Sequence, residues 1–101
     1  MELFGYTGDN ECVYEHILEN KNGMRVHAID YGCAIKNIFI KDYKGIERDI
    51  VLGFDDIDGY EKDHSCLGEC LGRHAGRIRE GKLVIGDKKY NLNCNIFDDH
   101  L

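Results

Sequence analysis

Glycine spacing sets the first limit on this chain. Its 101 residues include twelve glycines and no proline, and the glycines fall between short runs rich in β-branched and aromatic side chains. Punctuation of that kind suits strands joined by tight turns better than helices, because each glycine weakens a helix by roughly 1 kcal/mol against alanine. A chain of this length is one small domain or part of one, able to bury roughly 60–70% of its unfolded surface. Residues 1–101 read as one β-rich unit without repeat, linker or low-complexity tract.

The strands can be placed from their patterning. Residues 12–19 are rich in Val, Tyr and Ile and stop at Asn20-Lys21-Asn22-Gly23, where Asn-Gly supplies the positive φ that a hairpin turn needs. Met24, Val26 and Ala28 then alternate with Arg25 and His27, the period-two pattern of a strand with one wet face. Tyr31-Gly32-Cys33 breaks that strand. Residues 34–41 place Ile38 and Ile40 on one face and Phe39 on the other, predicting cover on both sides. After a turn at Asp42-Tyr43-Lys44-Gly45, a strand is expected from Ile46 to Phe54. Residues 55–63 hold five acids with only Ile57 and Tyr60 as anchors, which suits a loop or one helical turn. Gly68, Gly72, Gly76 and Gly81 predict an irregular strand with close backbone approaches. Leu83 and Ile85 before Gly86-Asp87, with Tyr90 and Leu92 after it, form a last hairpin. Six or seven short strands with hardly a helix indicate an all-β sandwich or barrel, or part of one.

Charge narrows the partners. Nineteen acidic residues against thirteen Lys plus Arg give a net charge of −6, which on average repels phosphate backbones and anionic membranes. Neither a nucleic acid nor a membrane is the expected partner. The exception is residues 72–89, where Arg73, Arg77, Arg79, Lys82, Lys88 and Lys89 face only Glu80 and Asp87. That segment is either a patch for an anionic or polar ligand or an ordinary solvated hairpin. Residues 1–6 lack the basic and apolar regions of a secretory signal, and no apolar run approaches the roughly 20 residues of a membrane span. Five cysteines, an odd number, point to free thiols in a reducing cytoplasm rather than a disulfide frame.

Four residues have ligand types suited to zinc: His64, Cys66, Cys70 and His74. Along a strand, however, residues four apart are separated by roughly 13 Å, too far for one metal. Only a helix or tight loop would gather them, and Gly68 and Gly72 oppose a regular helix. The bland alternative is two buried thiols and two ordinary histidines. His16 and His27 read as surface or interstrand side chains. Neither a phosphate-binding loop ending in Lys-Ser/Thr nor a Gly-x-Ser-x-Gly elbow is present.

The glycine-spaced arginine segment carries a more specific signal. Residues 72–83, Gly-Arg-His-Ala-Gly-Arg-Ile-Arg-Glu-Gly-Lys-Leu, resemble the Gly-Arg-x-Ala-Asn-Arg-Ile-x-x-Gly-x-Phe signature of the aldose 1-epimerases, or galactose mutarotases. Further likenesses occur in the same order along the chain. Residues 22–35, with Asp30-Tyr31-Gly32-Cys33-Ala34-Ile35, are similar to that family's early strand pair. Asp49-Ile50-Val51-Leu52-Gly53-Phe54-Asp55 with Tyr60 resembles its Asp-Val-Val-Leu-Gly-Phe stretch, and residues 86–92 with Asn95 resemble the following strand pair and asparagine loop.

The resemblance implies the N-terminal part of a galactose-mutarotase-like antiparallel β-sandwich. It also implies an activity, the interconversion of α and β anomers of free hexoses such as galactose and glucose. In that chemistry a glutamate takes the anomeric hydroxyl proton while a histidine protonates the ring oxygen, and no metal or organic cofactor is needed. Arg77 matches the family arginine that contacts the sugar. Gly76 stands where the family usually has asparagine, so only its backbone is offered to substrate. The family's loop continues as Asn-x-Leu-His-Gly-Gly, with the catalytic histidine after the leucine that here is Leu101; His100 precedes that leucine and aligns with a variable position. Residues 1–101 are therefore expected to be a partial domain without catalytic acid or base, and to leave apolar faces and sheet edges open. Two other readings stand beside this one: a non-catalytic sugar-binding relative, favoured by Gly76, and a metal module on the His/Cys set.

Overall fold

Two antiparallel ladders make up the regular structure of residues 1–63 and 65–101, which the computed structural model describes. The chain divides into two units, Met1–Cys70 and Leu71–Leu101. In the first, β1 (Glu2–Tyr6), β2 (Cys12–Glu19), β3 (Arg25–Ile29), β4 (Ile35–Lys41) and β5 (Glu47–Asp49) form one sheet in sequence order, followed by a single helix, α1 (Ile57–Lys62). The second holds a 3-10 turn (Arg79–Gly81) and the hairpin β6 (Lys82–Ile85) and β7 (Lys88–Asn91). The chain is thus all-β and antiparallel apart from these short helical pieces.

Two hairpins of the sheet close by the same chemistry. The Asn20 Oδ1 accepts from the amides of Asn22 and Met24 at 2.9 and 3.0 Å, and Gly23 takes φ 85°. Asp42 repeats this with the amides of Lys44 and Ile46 at 2.8 and 2.9 Å, and Gly45 takes φ 78°. Each side chain mimics a backbone turn, and glycine meets the left-handed position without steric cost. Asp56 then caps α1, accepting from the Gly59 amide at 2.9 Å.

The core lies where the helix meets the sheet. Val13, Ile29, Ala34, Ile57 and Tyr60 are buried, with Phe4, Tyr31 and Phe54 packed against them. Tyr60 holds the centre: its ring meets Phe4 and Phe54 edge-on at 6.1 and 5.1 Å, and its hydroxyl accepts from the Phe54 amide at 3.2 Å. Burial of each such side chain is worth about 1.5–3 kcal/mol. Large apolar groups also remain in solvent, among them Leu18, Ile50, Leu52, Val84 and Ile85.

Three local expectations change, and one strand, β1, is added to them. β1 forms although Leu3-Phe4-Gly5-Tyr6 has no clean alternation, because it pairs with β2 across a bulge and sends Phe4 into the core. The strand expected over 46–54 stops after three residues. At this end the Asp49 carboxylate accepts from the Ile38 and Val51 amides, both at 3.1 Å, and from Asn37 Nδ2 at 2.6 Å, so the Ile38 amide is diverted from the ladder while the Ile50 amide still donates to the Ile38 carbonyl at 3.0 Å. The irregular strand expected over 68–81 is instead turns and bends with one bridge, Ile78 to His100, because positive φ at Gly68, Gly76, Glu80 and Gly81 prevents a ladder. Finally, the face of β3 read as wet also carries buried Ile29, and Met24 on the other face is exposed.

That face holds a charged cluster. The Glu15 Oε1 meets His27 Nδ1 at 2.8 Å and Lys36 Nζ at 3.1 Å, and Lys36 lies 5.1 Å over the Phe4 ring. Burial pushes the Glu15 carboxyl up, but the hydrogen bonds from His27 and Lys36 outweigh it and hold the group below its ordinary 4.5. A carboxyl depressed in the folded state stabilises the fold above its unfolded value, and that contribution is lost as pH falls through the folded one. Glu15→Gln is expected to lower stability at pH 7 by about 1–2 kcal/mol and to flatten the acid limb of a urea-midpoint against pH profile. An unchanged profile below pH 5 would show that the cluster is not coupled to folding.

Candidate functional site

The unit of residues 71–101 brings the arginine segment against the chain's last loop. Ile78, the buried residue after Arg77, exchanges both backbone hydrogen bonds with His100, at 2.7 and 3.0 Å. The Asp99 carboxylate accepts from the Glu80 amide at 2.9 Å, fixing the left-handed Glu80 at φ 51°. Two segments some twenty residues apart are thus tied at Ile78 and Glu80. Asn95 ties the loop to itself, since its side-chain amide donates to the Leu101 carbonyl at 3.0 Å and its Oδ1 accepts from the Leu101 amide at 2.8 Å.

Arg77 is exposed beside this staple, its guanidinium 5.8 Å from the centre of the Phe97 ring. Among the described residues it forms no ion pair, so the surface salt bridge that would be its ordinary role does not occur. Its fork of five N–H donors stays available to hydroxyl oxygens. Neighbouring Lys82 differs: it is paired with Glu80, whose hydrogen bond and charge push the ammonium above its ordinary value. Phe97 belongs to no motif of the sequence. It is 87% exposed and sits at φ 53°, a backbone state that propensity does not reveal. An aromatic soon after the asparagine loop was the one available signal.

Gly76 takes φ 90°, and a Cβ built on it would meet nothing within 4 Å. The usual asparagine of the family signature would therefore have room here, and asparagine tolerates left-handed backbone better than other side chains. His100 directs its Nδ1 to the Asn93 carbonyl at 2.6 Å, so that nitrogen carries the proton and the ring serves the loop.

The proposed zinc set does not assemble. His64 lies outside the described residues, while Cys66 and Cys70 belong to one unit and His74 to the other. Both thiols are exposed, which corrects the expectation of two buried thiols. Among the described residues no three His, Cys, Asp or Glu side chains gather as a metal site. No described helix is long and apolar enough to cross a membrane.

Comparison with known proteins decides the family. Residues 14–100 match the model of the aldose 1-epimerase family. The chain belongs to that family. It is 39% identical to mouse galactose mutarotase over 92% of this chain and 27% of that protein. It is 31% identical to the aldose 1-epimerase of Streptococcus thermophilus over 99% of this chain and 28% of that protein. The structure of an aldose epimerase homologue from C. elegans superposes with a TM-score of 0.75 at 31% identity, covering 88% of this chain and 27% of that one. The fold is therefore the aldose epimerase fold, and the chain spans about a quarter of the length of these relatives.

The glycines around this aldose epimerase segment separate space from strain. Gly76→Asn is expected to change unfolding free energy by less than about 1 kcal/mol. Gly81→Ala places a Cβ 2.4 Å from the Leu92 carbonyl oxygen and is expected to cost about 1–3 kcal/mol. Urea titration of both variants checks the contrast, which equal losses would refute.

Proposed function

We propose that the protein containing these residues is an aldose 1-epimerase acting on free hexoses, and that Arg77 is a sugar-contacting side chain of its site. The observation that carries this reading is an exposed arginine without an ion pair, beside an exposed aromatic ring, inside the family's signature segment. The guanidinium fork suits neighbouring sugar hydroxyls and favours negative charge developing on oxygen, and an aromatic ring suits the apolar face of a pyranose. Gly76 adds backbone groups alone.

Ring opening needs a base at the anomeric hydroxyl and an acid at the ring oxygen. The base accepts the hydroxyl proton, the C–O bond to the ring oxygen breaks, and the acid protonates that oxygen. Rotation of the aldehyde and closure on its other face give the other anomer. No side chain of residues 1–101 matches either role in the family pattern, so we assign the proton transfer to other parts of the protein. The substrate is a monosaccharide and no cofactor enters the reaction. A cytoplasmic setting is supported by five free thiols.

Polarimetry of fresh α-D-glucose tests the assignment. The 101-residue chain is expected to leave the rate at that of buffer. The whole protein should accelerate it, and Arg77→Lys in the whole protein should lower kcat/KM by about a hundredfold. A whole protein that binds galactose without accelerating mutarotation would replace this reading with a sugar-binding relative, for which Gly76 is the favouring feature.

A further inference from the structure

The first unit brings two cysteines together from distant parts of the sequence. Cys33 lies in the turn between β3 and β4, and Cys70 ends the unit. Their segments are joined on both sides: the Ile35 amide donates to the Gly68 carbonyl at 2.8 Å, and the Cys70 amide donates to the Gly32 carbonyl at 3.2 Å. The approach is so close that a Cβ on Gly68 would stand 2.2 Å from the Ile35 carbonyl oxygen, so only glycine fits. Both thiols are exposed, and the hydrogen bond from the Cys70 amide to the carbonyl of Gly32 brings Cys70 alongside the next residue, Cys33.

We propose that Cys33 and Cys70 are a dithiol that a peroxide converts reversibly to an intramolecular disulfide. The neighbouring Cys33, by hydrogen bonding and charge, pushes the Cys70 thiol up, and in the proposed sequence Cys33 makes the first attack. The Cys33 sulfur forms an S–O bond as the peroxide O–O bond breaks, giving a sulfenic acid and one water. The Cys70 sulfur then attacks that sulfur; the S–S bond forms, the S–O bond breaks, and the Cys70 proton leaves with hydroxide as a second water. Two thiols lose two electrons, and one hydrogen peroxide becomes two waters. The Cys66 thiol, four residues before Cys70, is pushed up by the Glu69 carboxylate, with burial and Asp63. Reduction by a small thiol restores the pair.

The test treats the reduced chain with an equimolar amount of hydrogen peroxide, blocks remaining thiols with N-ethylmaleimide, and maps peptides without reductant. The expected product is a Cys33–Cys70 cross-linked peptide with three other cysteines alkylated. A variant with Cys12, Cys66 and Cys94 changed to serine should lose about 2 Da and both alkylation sites, and dithiothreitol should return them. In that variant Gly68→Ala should slow disulfide formation by about tenfold or more. Cross-linking of Cys33 or Cys70 chiefly to another cysteine, a disulfide-linked dimer as the main product, or continued alkylation of both thiols would overturn the proposal.

Discussion

Capture of backbone amides by Asp and Asn side chains is the interaction on which this structure depends. Without proline and with strands of three to eight residues, the chain has many ladder ends whose amides need acceptors. Asn20 and Asp42 close hairpins, Asp49 ends β5, Asp56 caps α1, and Asp63 accepts from the Ser65 and Leu67 amides. Asp30 reaches across to the Tyr14 amide, and Asp99 holds Glu80. Much of the excess of acid over base therefore has a structural use. The carboxyls of Asp42 and Asp49 show its effect: at each, amide and side-chain donors outweigh partial burial and hold the group below its ordinary 3.8.

This explains which parts of the fold could be read from the sequence. Turns built on local chemistry were legible, because Asn20 to Gly23 and Asp42 to Gly45 carry both the acceptor and the glycine within four residues. The last hairpin and the helical turn at Ile57 were legible for the same reason. Long-range pairing was not. β1 owes its existence to β2 and to the Tyr60 ring, and nothing between Glu2 and Tyr6 announces either. β5 was overextended because period-two apolar spacing continues through Leu52, while the carboxylate at the end of the ladder looks like any exposed acid. Alternation in β3 identified two faces but not their environments, because Glu15 and Lys36 supply the partners that bring His27 inward.

The site divides along a similar line. Arg77 stood out because its neighbours match a family signature, and motif matching needs no tertiary information. Phe97 lies twenty residues on, at a left-handed position, and reaches the arginine only because Ile78 pairs with His100. The contacts of His100 agree with its alignment to a variable position of the family loop. By type it is a general acid or base, yet its Nδ1 is engaged by the Asn93 carbonyl, so tertiary context assigns it to the loop.

Gly76 joins the two levels. Left-handed backbone at φ 90° is costly for most residues, and the open space beside it gives a side chain no packing to offset the strain. Glycine therefore serves the backbone at this position without filling any volume. An asparagine there would bring a side-chain amide to this position at a small conformational cost, whereas glycine offers main-chain groups alone. Hydrogen bonds made by the backbone and by a rigid fork depend less on a particular rotamer. In the sugar-contacting role proposed for Arg77, the substitution would shift recognition from a matched pair of side chains toward this single charge, which pairs with no carboxylate among the described residues.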